Sequence, residues 1–319
     1  MRAGAGRRLQ QGVALIQVLL VFAVLMALAV HLTWRQQLTI SGTQHVLESS
    51  QGYAWLHSVE ALGRAELKRD HQTPLPASAW GEWSDPFELE PGEAVFRVRP
   101  LDGYYNLNWL HDSSGVSAAP AQVQRLLSDQ GQEGAWLQRL ADWFDRDSGA
   151  EFEYRLVEPG YRPSFASIAD ASELRLLQPQ QQTLAPLEIE GWAVFLPAQS
   201  RLNLQVVTEP VLRALHPDMG EPQWLALERA REDGLDSVDD WLTREDVEPL
   251  REELPAGWFS VRGEYFLLEA EVDYLDQTLH LTSWLRRDED GAVQVIQRHY
   301  LPLAVDRADP DDDNGTPDN

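Results

Sequence analysis

Residues 13–34 are apolar except at Gln17, His31 and Thr33, and a helix that is apolar on every side must be enclosed by protein or by lipid. At 1.5 Å per residue the run spans about 33 Å, the thickness of a bilayer hydrocarbon core. A secretory signal has a shorter apolar region followed by small residues at a cleavage site. Here the run continues into Trp34, Arg35, Gln36 and Gln37, which offer no such site. The reading is therefore an anchor that is kept. Arg2, Arg7 and Arg8 all precede the run, so the positive-inside rule predicts a cytoplasmic N-terminus. The bulk of the chain then lies on the far side of that membrane, which is the periplasm if the cell is Gram-negative.

Composition narrows the classes further. The 319 residues carry 51 acidic against 26 basic side chains, a formal charge of -25. Such a surface repels nucleic acid and anionic headgroups and favours basic partners or divalent cations. With no Cys in the chain, disulfides, thiolate zinc sites and cysteine nucleophiles are excluded. Bound calcium is one candidate substitute for disulfides in an oxidising compartment. Twelve Trp and 43% hydrophobic residues argue for packed globular structure.

Residues 35–69 contain no Pro, so the apolar helix is expected to continue, with Leu47, Ala54, Trp55, Val59 and Leu62 on a face lying on a sheet. Pro74 and Pro76 end it. Alternating runs at 87–90 and 94–99, separated by Pro91 and Gly92, read as strands. Helices are expected at 122–127, 135–144, 171–177, 208–215, 223–231 and 237–242. Ser172 before Glu173, and Ser237 before Asp239 and Asp240, read as N-caps. Alternation returns at 259–262, 265–272, 278–286 and 293–300, with Asp290-Gly291 as a hairpin turn and a looser turn at 273–276. The fold class is α+β: a long N-terminal helix on an antiparallel β-sheet, interrupted by a large inserted all-α domain that resembles SAM or helix-hairpin-helix repeats.

Gly12 stands directly between the basic leader and the apolar helix. This resembles the type III signal of type IV pilins and pseudopilins, in which a prepilin peptidase cuts after the Gly. The resemblance implies cleavage between Gly12 and Val13, with the apolar helix retained. Most members of that superfamily carry Glu at the fifth mature position, where this chain has Gln17. The Glu is thought to neutralise the N-terminal ammonium of a neighbouring subunit, since an unpaired charge in an apolar core is costly. A subunit with Gln17 cannot serve a neighbour above it, and it fits the top of a filament.

Further blocks run in order along the chain. They are Gly12-Val13-Ala14-Leu15-Ile16, Trp34-Arg35-Gln36-Gln37-Leu38, Tyr105-Asn106-Leu107-Asn108-Trp109-Leu110 and Asp142-Trp143-Phe144-Asp145-Arg146-Asp147. Tyr161-Arg162-Pro163-Ser164-Phe165, Ser172-Glu173-Leu174-Arg175-Leu176-Leu177 and Leu202-Asn203-Leu204-Gln205-Val206-Val207-Thr208 complete the set. Together they resemble the minor pseudopilin K family of type II secretion systems. The resemblance implies a structural, non-enzymatic subunit that joins minor pseudopilins I and J at the pseudopilus tip. Its inserted domain is too bulky to stack within the shaft, and the filament pushes exoproteins through the outer-membrane secretin. It implies a leader at 1–12, a transmembrane segment at 13–34 and a periplasmic helix at 35–70. A pilin-like β domain then occupies 71–109 and 257–305 around the α domain at 110–256; the acidic tail at 306–319, read from its own residues as solvated and disordered, is not part of the match.

The densest chemical cluster holds Asp145, Asp147, Glu151 and Glu153. Calcium takes six to eight oxygen ligands, and Asp145 and Asp147 on a turn, with Glu151 or Glu153 returning, offer such donors. The plain alternative is a helix end followed by a solvated acidic loop; the family resemblance favours calcium. Asp309, Asp311, Asp313 and Gly315 mimic an EF-hand loop, but its twelfth-position Glu falls at 320, past the last residue. A nucleic-acid reading of the helical block fails because residues 228–253 are strongly acidic. No G-x-S-x-G or H-E-x-x-H motif is present. The competing reading is an acidic periplasmic protein-binding domain on a simple signal-anchor, and a periplasmic hydrolase ranks third.

Overall fold

The computed structural model describes residues 5–72, 80–177, 184–275 and 277–300, with side chains at all of these except 5–17, 38–45 and 112. The expected acidic tail at 306–319, residues 301–305 and the Pro74–Pro76 break lie outside the described residues.

One helix, α1 (Ala5–Gln72), runs without interruption through 68 residues, about 100 Å at 1.5 Å per residue. Its last third lies on a five-stranded antiparallel sheet of β1 (Phe87–Leu89), β2 (Gly92–Pro100), β7 (Tyr265–Tyr274), β8 (Gln277–Arg287) and β9 (Val293–His299), in the order β1-β2-β7-β8-β9. Period-two alternation sends Phe266, Leu268, Ala270 and Val272 of β7 toward the helix, together with Ala94, Val98, Leu281 and Leu285. They form one core with Leu56, Val59 and Leu67 of α1.

The helix face is the expected one only in part: Val59 is buried in this core and Trp55 packs against it. Leu47 and Leu62 are 65% and 50% exposed, and Ala54 is exposed, whereas Gly52, Glu60, Gly63 and Asp70 are buried beside the apolar residues. The cause is the distance of approach. A Cβ on Gly52 would come within 2.2 Å of Leu279 Cδ1, and one on Gly63 within 2.2 Å of Leu268 Cδ1. The glycines, not the leucines, therefore define the contact line. Glu60 accepts from Arg298 Nε at 3.1 and 3.0 Å. Arg287 pairs with buried Asp70, donates to Leu67 O at 2.9 Å at the helix end, and donates to Gly263 O through Nε and Nη2 at 3.1 and 2.9 Å. These buried charges are paired and hydrogen-bonded, as burial demands.

Pro100 at the end of β2 pairs with Phe266 near the start of β7, so the chain leaves and re-enters at the same end of the sheet. Between them an α-rich unit builds its own core from Tyr105, Leu126, Leu127, Trp136, Leu140, Trp143, Tyr154 and Trp241, among others. Its elements are β3 (Tyr105–Asn106), α2 (Ala119–Asp129), α3 (Ala135–Phe144), α4 (Glu151–Arg155), β4 (Ala193–Val194), β5 (Leu202–Asn203), α5 (Glu209–Ala214), α6 (Glu221–Glu232), α7 (Asp239–Leu242) and β6 (Phe259–Ser260). The expected helix at 171–177 is a 3-10 helix, Ala171–Leu176, and its cap is Asp170 rather than Ser172. The Asp170 side chain accepts from the Ser172 amide while Glu173 reaches back, a capping box. The run at 259–262 does not join the main sheet. Phe259 and Ser260 pair in parallel with Leu202 and Asn203, because the chain is still completing the insert there.

Asp102, only 2% exposed, fastens this crossing. Its carboxylate accepts from the Glu264 amide at 2.6 Å and from Asn203 Nδ2 at 3.4 Å, and its backbone carbonyl accepts from the Asn203 amide at 2.8 Å. Burial pushes its carboxyl up to about 6, against the lowering effect of these donors. Because the folded value lies above the unfolded one, this carboxyl favours folding fully below about pH 4 and loses that contribution as pH rises through about 6. We expect wild type minus Asp102→Asn stability, measured by urea unfolding at each pH, to fall between pH 4 and pH 7. A difference flat with pH would contradict the assignment.

Candidate functional site

The described residues form a stem and a head. In the stem, residues Val18–Gln37 of α1 have a mean hydropathy of 2.0 and none of the stretch is buried. It is long and apolar enough to cross a membrane. Near its C-terminal end the His31 and Trp34 rings lie 6.5 Å apart, where an amphipathic aromatic suits a membrane–water interface. Gly12, Val13 and Gln17 all fall within α1, while their side chains lie outside the described residues.

The acidic segment after α3 is arranged as follows. Asp145 caps the end of α3, and its Oδ1 accepts from the Asp147 amide at 2.8 Å. Asp145 and Asp147 are exposed. Glu151 faces Arg155 at 2.6 Å and Arg162 at 3.1 Å, and Glu153 faces Arg139 at 3.0 Å. Guanidinium groups thus stand where a cation would, and the four carboxylates are not gathered around one point. Among the described residues, no group of three or more His, Cys, Asp or Glu is placed to hold a metal ion. Sequence reasoning missed α4, the short helix that carries Glu151 and Glu153. Five residues give too little periodicity to read.

The head is organised by a block that sequence reading valued only for its resemblance. Asn106 Oδ1 accepts from the Asn108 and Leu196 amides, each at 3.0 Å, while its Nδ2 donates to Pro197 O and Ser200 Oγ, each at 2.9 Å. Asn108 Nδ2 donates to Ile168 O and Leu196 O, and its Oδ1 accepts from the Ile168 amide, all at 2.8 Å. Tyr105 Oη donates to Gln122 Oε1 at 2.8 Å, and Gln122 Nε2 donates to Leu215 O at 3.0 Å. The two asparagines stand in for a sheet ladder: they satisfy backbone groups of segments 60 to 91 residues away that would otherwise be buried unpaired. Burial pushes the Tyr105 hydroxyl far above its ordinary value, so it remains a donor.

Comparison with known proteins places these features. A family model described as type II secretion system, protein K, matches residues 103–188. The type II secretion system protein K of Pseudomonas aeruginosa is 33% identical over 315 residues, covering 92% of this chain and 93% of that protein. The protein of the same name from Klebsiella pneumoniae is 28% identical over 317 residues, covering 91% and 96%. In fold, the chain is similar to a chain in the crystal structure of the GspK-GspI-GspJ complex from the enterotoxigenic Escherichia coli type 2 secretion system. The TM-score is 0.66 at 18% identity, over 82% of this chain and 99% of that one.

The asparagine block falls inside the matched region. Replacing Asn108 by Ala leaves the Ile168 amide and two carbonyls buried without partners, which costs about 3 kcal/mol. Urea unfolding of Asn108→Ala should show that loss, while Gln199→Ala at an exposed position stays within about 0.5 kcal/mol of wild type. Equal stability of the two variants would show that the network is not what holds the head.

Proposed function

The chain belongs to the type II secretion system protein K family, and on that premise we propose that it is the minor pseudopilin that caps the tip of the pseudopilus. In this reading it assembles with minor pseudopilins I and J, starts and limits the filament, and promotes export of exoproteins through the outer-membrane secretin. It works by assembly and not by chemistry. The observation that carries the reading is the head: a unit with its own core, set between two adjacent strands of a helix-on-sheet body. A stack of identical helix-on-sheet units has no room for such a bulk beside every stem, whereas the end of a stack has. Gln17 supports the same position, because a subunit without a carboxylate there cannot neutralise a neighbour's terminal ammonium.

The stem supports single-pass anchoring in the inner membrane. The proposed orientation puts the N-terminus in the cytoplasm and the head in the periplasm, on the strength of Arg2, Arg7 and Arg8. The proposed organisation is a leader at 1–12 removed by prepilin peptidase, a membrane segment at 13–34, a periplasmic stem at 35–70, and a β domain whose strands lie at 87–100 and 265–299. The insert at 101–264, wider than the expected 110–256 because Tyr105, Leu107 and Phe259 pack in its core, interrupts that β domain, and an acidic tail occupies 306–319. Calcium binding by Asp145, Asp147, Glu151 and Glu153 belongs to the proposal in one form: the two glutamates exchange their arginines for the cation. Its support is the donor chemistry and the exposure of Asp145 and Asp147.

Processing separates this reading from a plain signal-anchored binding domain. Intact-mass measurement of the membrane-extracted protein from a host with active prepilin peptidase should show loss of residues 1–12, and the protein should co-purify with minor pseudopilins I and J. Retention of Met1 through Gly12 would sink the pseudopilin reading. For calcium, thermal unfolding with 1 mM calcium chloride should exceed that in chelator by several degrees. Identical melting in the two would overturn the cation site and leave the tip reading untouched.

A further inference from the structure

The insert touches the body of the molecule at a second place, away from the crossing at Pro100 and Tyr265. His299 pairs with Thr282, and Thr282 with Glu269. His299 is therefore level with Glu269, four residues beyond Tyr265 and about 13 Å along the strands. Alternation turns its ring to the face opposite α1, while Arg298 points to Glu60 on the helix. On that outer face the ring meets the insert: His299 Nε2 stands 3.6 Å from Asp170 Oδ2. Gln297, on the same face, brings its Nε2 to 2.7 Å from His299 Nε2 and 3.5 Å from Asp170 Oδ2.

Asp170 is tied to the head through its own segment. Its Oδ1 caps the 3-10 helix by accepting from the Ser172 amide at 2.8 Å. Two residues earlier, Asn108 holds both the amide and the carbonyl of Ile168. Desolvation pushes the Asp170 carboxyl up, but the hydrogen bonds from Ser172 and the charge of His299 hold it below its ordinary value, so it is ionised at neutral pH. The other charged groups near the ring have partners of their own. Glu269, two strands away in the same row, is held by Arg97 and Arg99, and in the next row Glu271 faces His280 at 3.5 Å. On the helix side Glu60 takes Arg298 and His57. Glu173 turns back to the amides of Ala169 and Asp170. Asp170 is the carboxylate that faces His299.

The two charge states of the ring use these atoms differently. A neutral ring accepts at Nε2, so the Gln297 amide nitrogen can donate to the ring and to the carboxylate together. An imidazolium carries a proton at Nε2, and two donors would then oppose each other at 2.7 Å. The amide must turn its oxygen to the ring, and the carboxylate meets the positive charge directly. Imidazoles change charge between about pH 5 and 8. We propose that Asp170, Gln297 and His299 form a proton-dependent latch between the insert and the sheet, closed by an ion pair when His299 is protonated and held by the Gln297 amide alone when it is neutral. The ion pair is present at low pH and is lost as pH rises. Because Asn108 ties the same segment to the core of the head, opening of the latch leaves the head held at its joint alone. This goes beyond the tip reading and does not rest on it.

Hydrogen exchange of the full chain in detergent, followed by mass spectrometry and corrected for intrinsic rates, is the test. In the wild type, residues 168–176 should be about fivefold better protected at about pH 5.5 than at about pH 7.5, the scale of a partly exposed ion pair. Residues 135–144 of α3 should keep the same protection at both. His299→Gln cannot take up the proton. Asp170→Asn removes the charge but keeps an oxygen able to cap the 3-10 helix. In each variant the ratio should fall to about one. A wild-type ratio of one, a ratio shared by α3, or a ratio that survives in either variant would overturn the latch.

Discussion

The contact between α1 and the sheet leaves no space for a side chain at Gly52 or Gly63, and much else in the molecule follows from that close approach. One helix serves as membrane stem below and as half of the β-domain core above. Its position on the sheet must therefore be set by the sheet side alone. Close packing of Leu56, Val59 and Leu67 against β7 and β8 supplies the apolar attraction. The Glu60–Arg298 and Asp70–Arg287 pairs fix where along the sheet the helix comes to rest. A buried ion pair adds little net stability, but leaving either partner alone is costly, so each pair selects one register.

Arg287 then links that register to the head. The same guanidinium that holds Asp70 also holds Gly263 O, on the segment by which the chain returns from the insert. Asp102 does the matching work on the outgoing segment, through Glu264 and Asn203. Stem and head are thus joined at one end of the sheet. A small cluster of Leu101, Val194, Leu196, Tyr265 and Leu267 packs between the two larger cores. Such a joint carries a heavy domain at the far end of a membrane helix, which is the mechanical requirement of a cap on a filament.

Elements with a strong local period were legible in the sequence. The helix expected at 135–144 is found at Ala135–Phe144, and the alternating runs became β2, β7, β8 and β9. The buried face of α1 was legible in part: Trp55 and Val59 lie on it as expected, whereas Leu47, Ala54 and Leu62 do not, because the contact is set by glycines whose lack of a side chain carries no hydropathy signal. Asp170, rather than Ser172, caps the 3-10 helix, since two cap-forming residues lie two positions apart and only geometry chooses between them. Asp102, Asn108 and Arg287 were invisible as structural keys for a different reason. Their partners lie 24 to 220 residues away, and no local pattern encodes a non-local hydrogen bond. The carboxylates of residues 145–153 show the converse: a dense local motif whose chemistry depends on arginines at 139, 155 and 162.

The central claim is that this subunit ends a filament and is not built upon. Its most direct test is electron microscopy of pseudopili assembled with the subunit carrying a gold-binding tag. Label at one end of each filament, and nowhere along the shaft, is the result the account predicts. Label spaced along the shaft would contradict it, because a head of this size would then have been accommodated beside every stem.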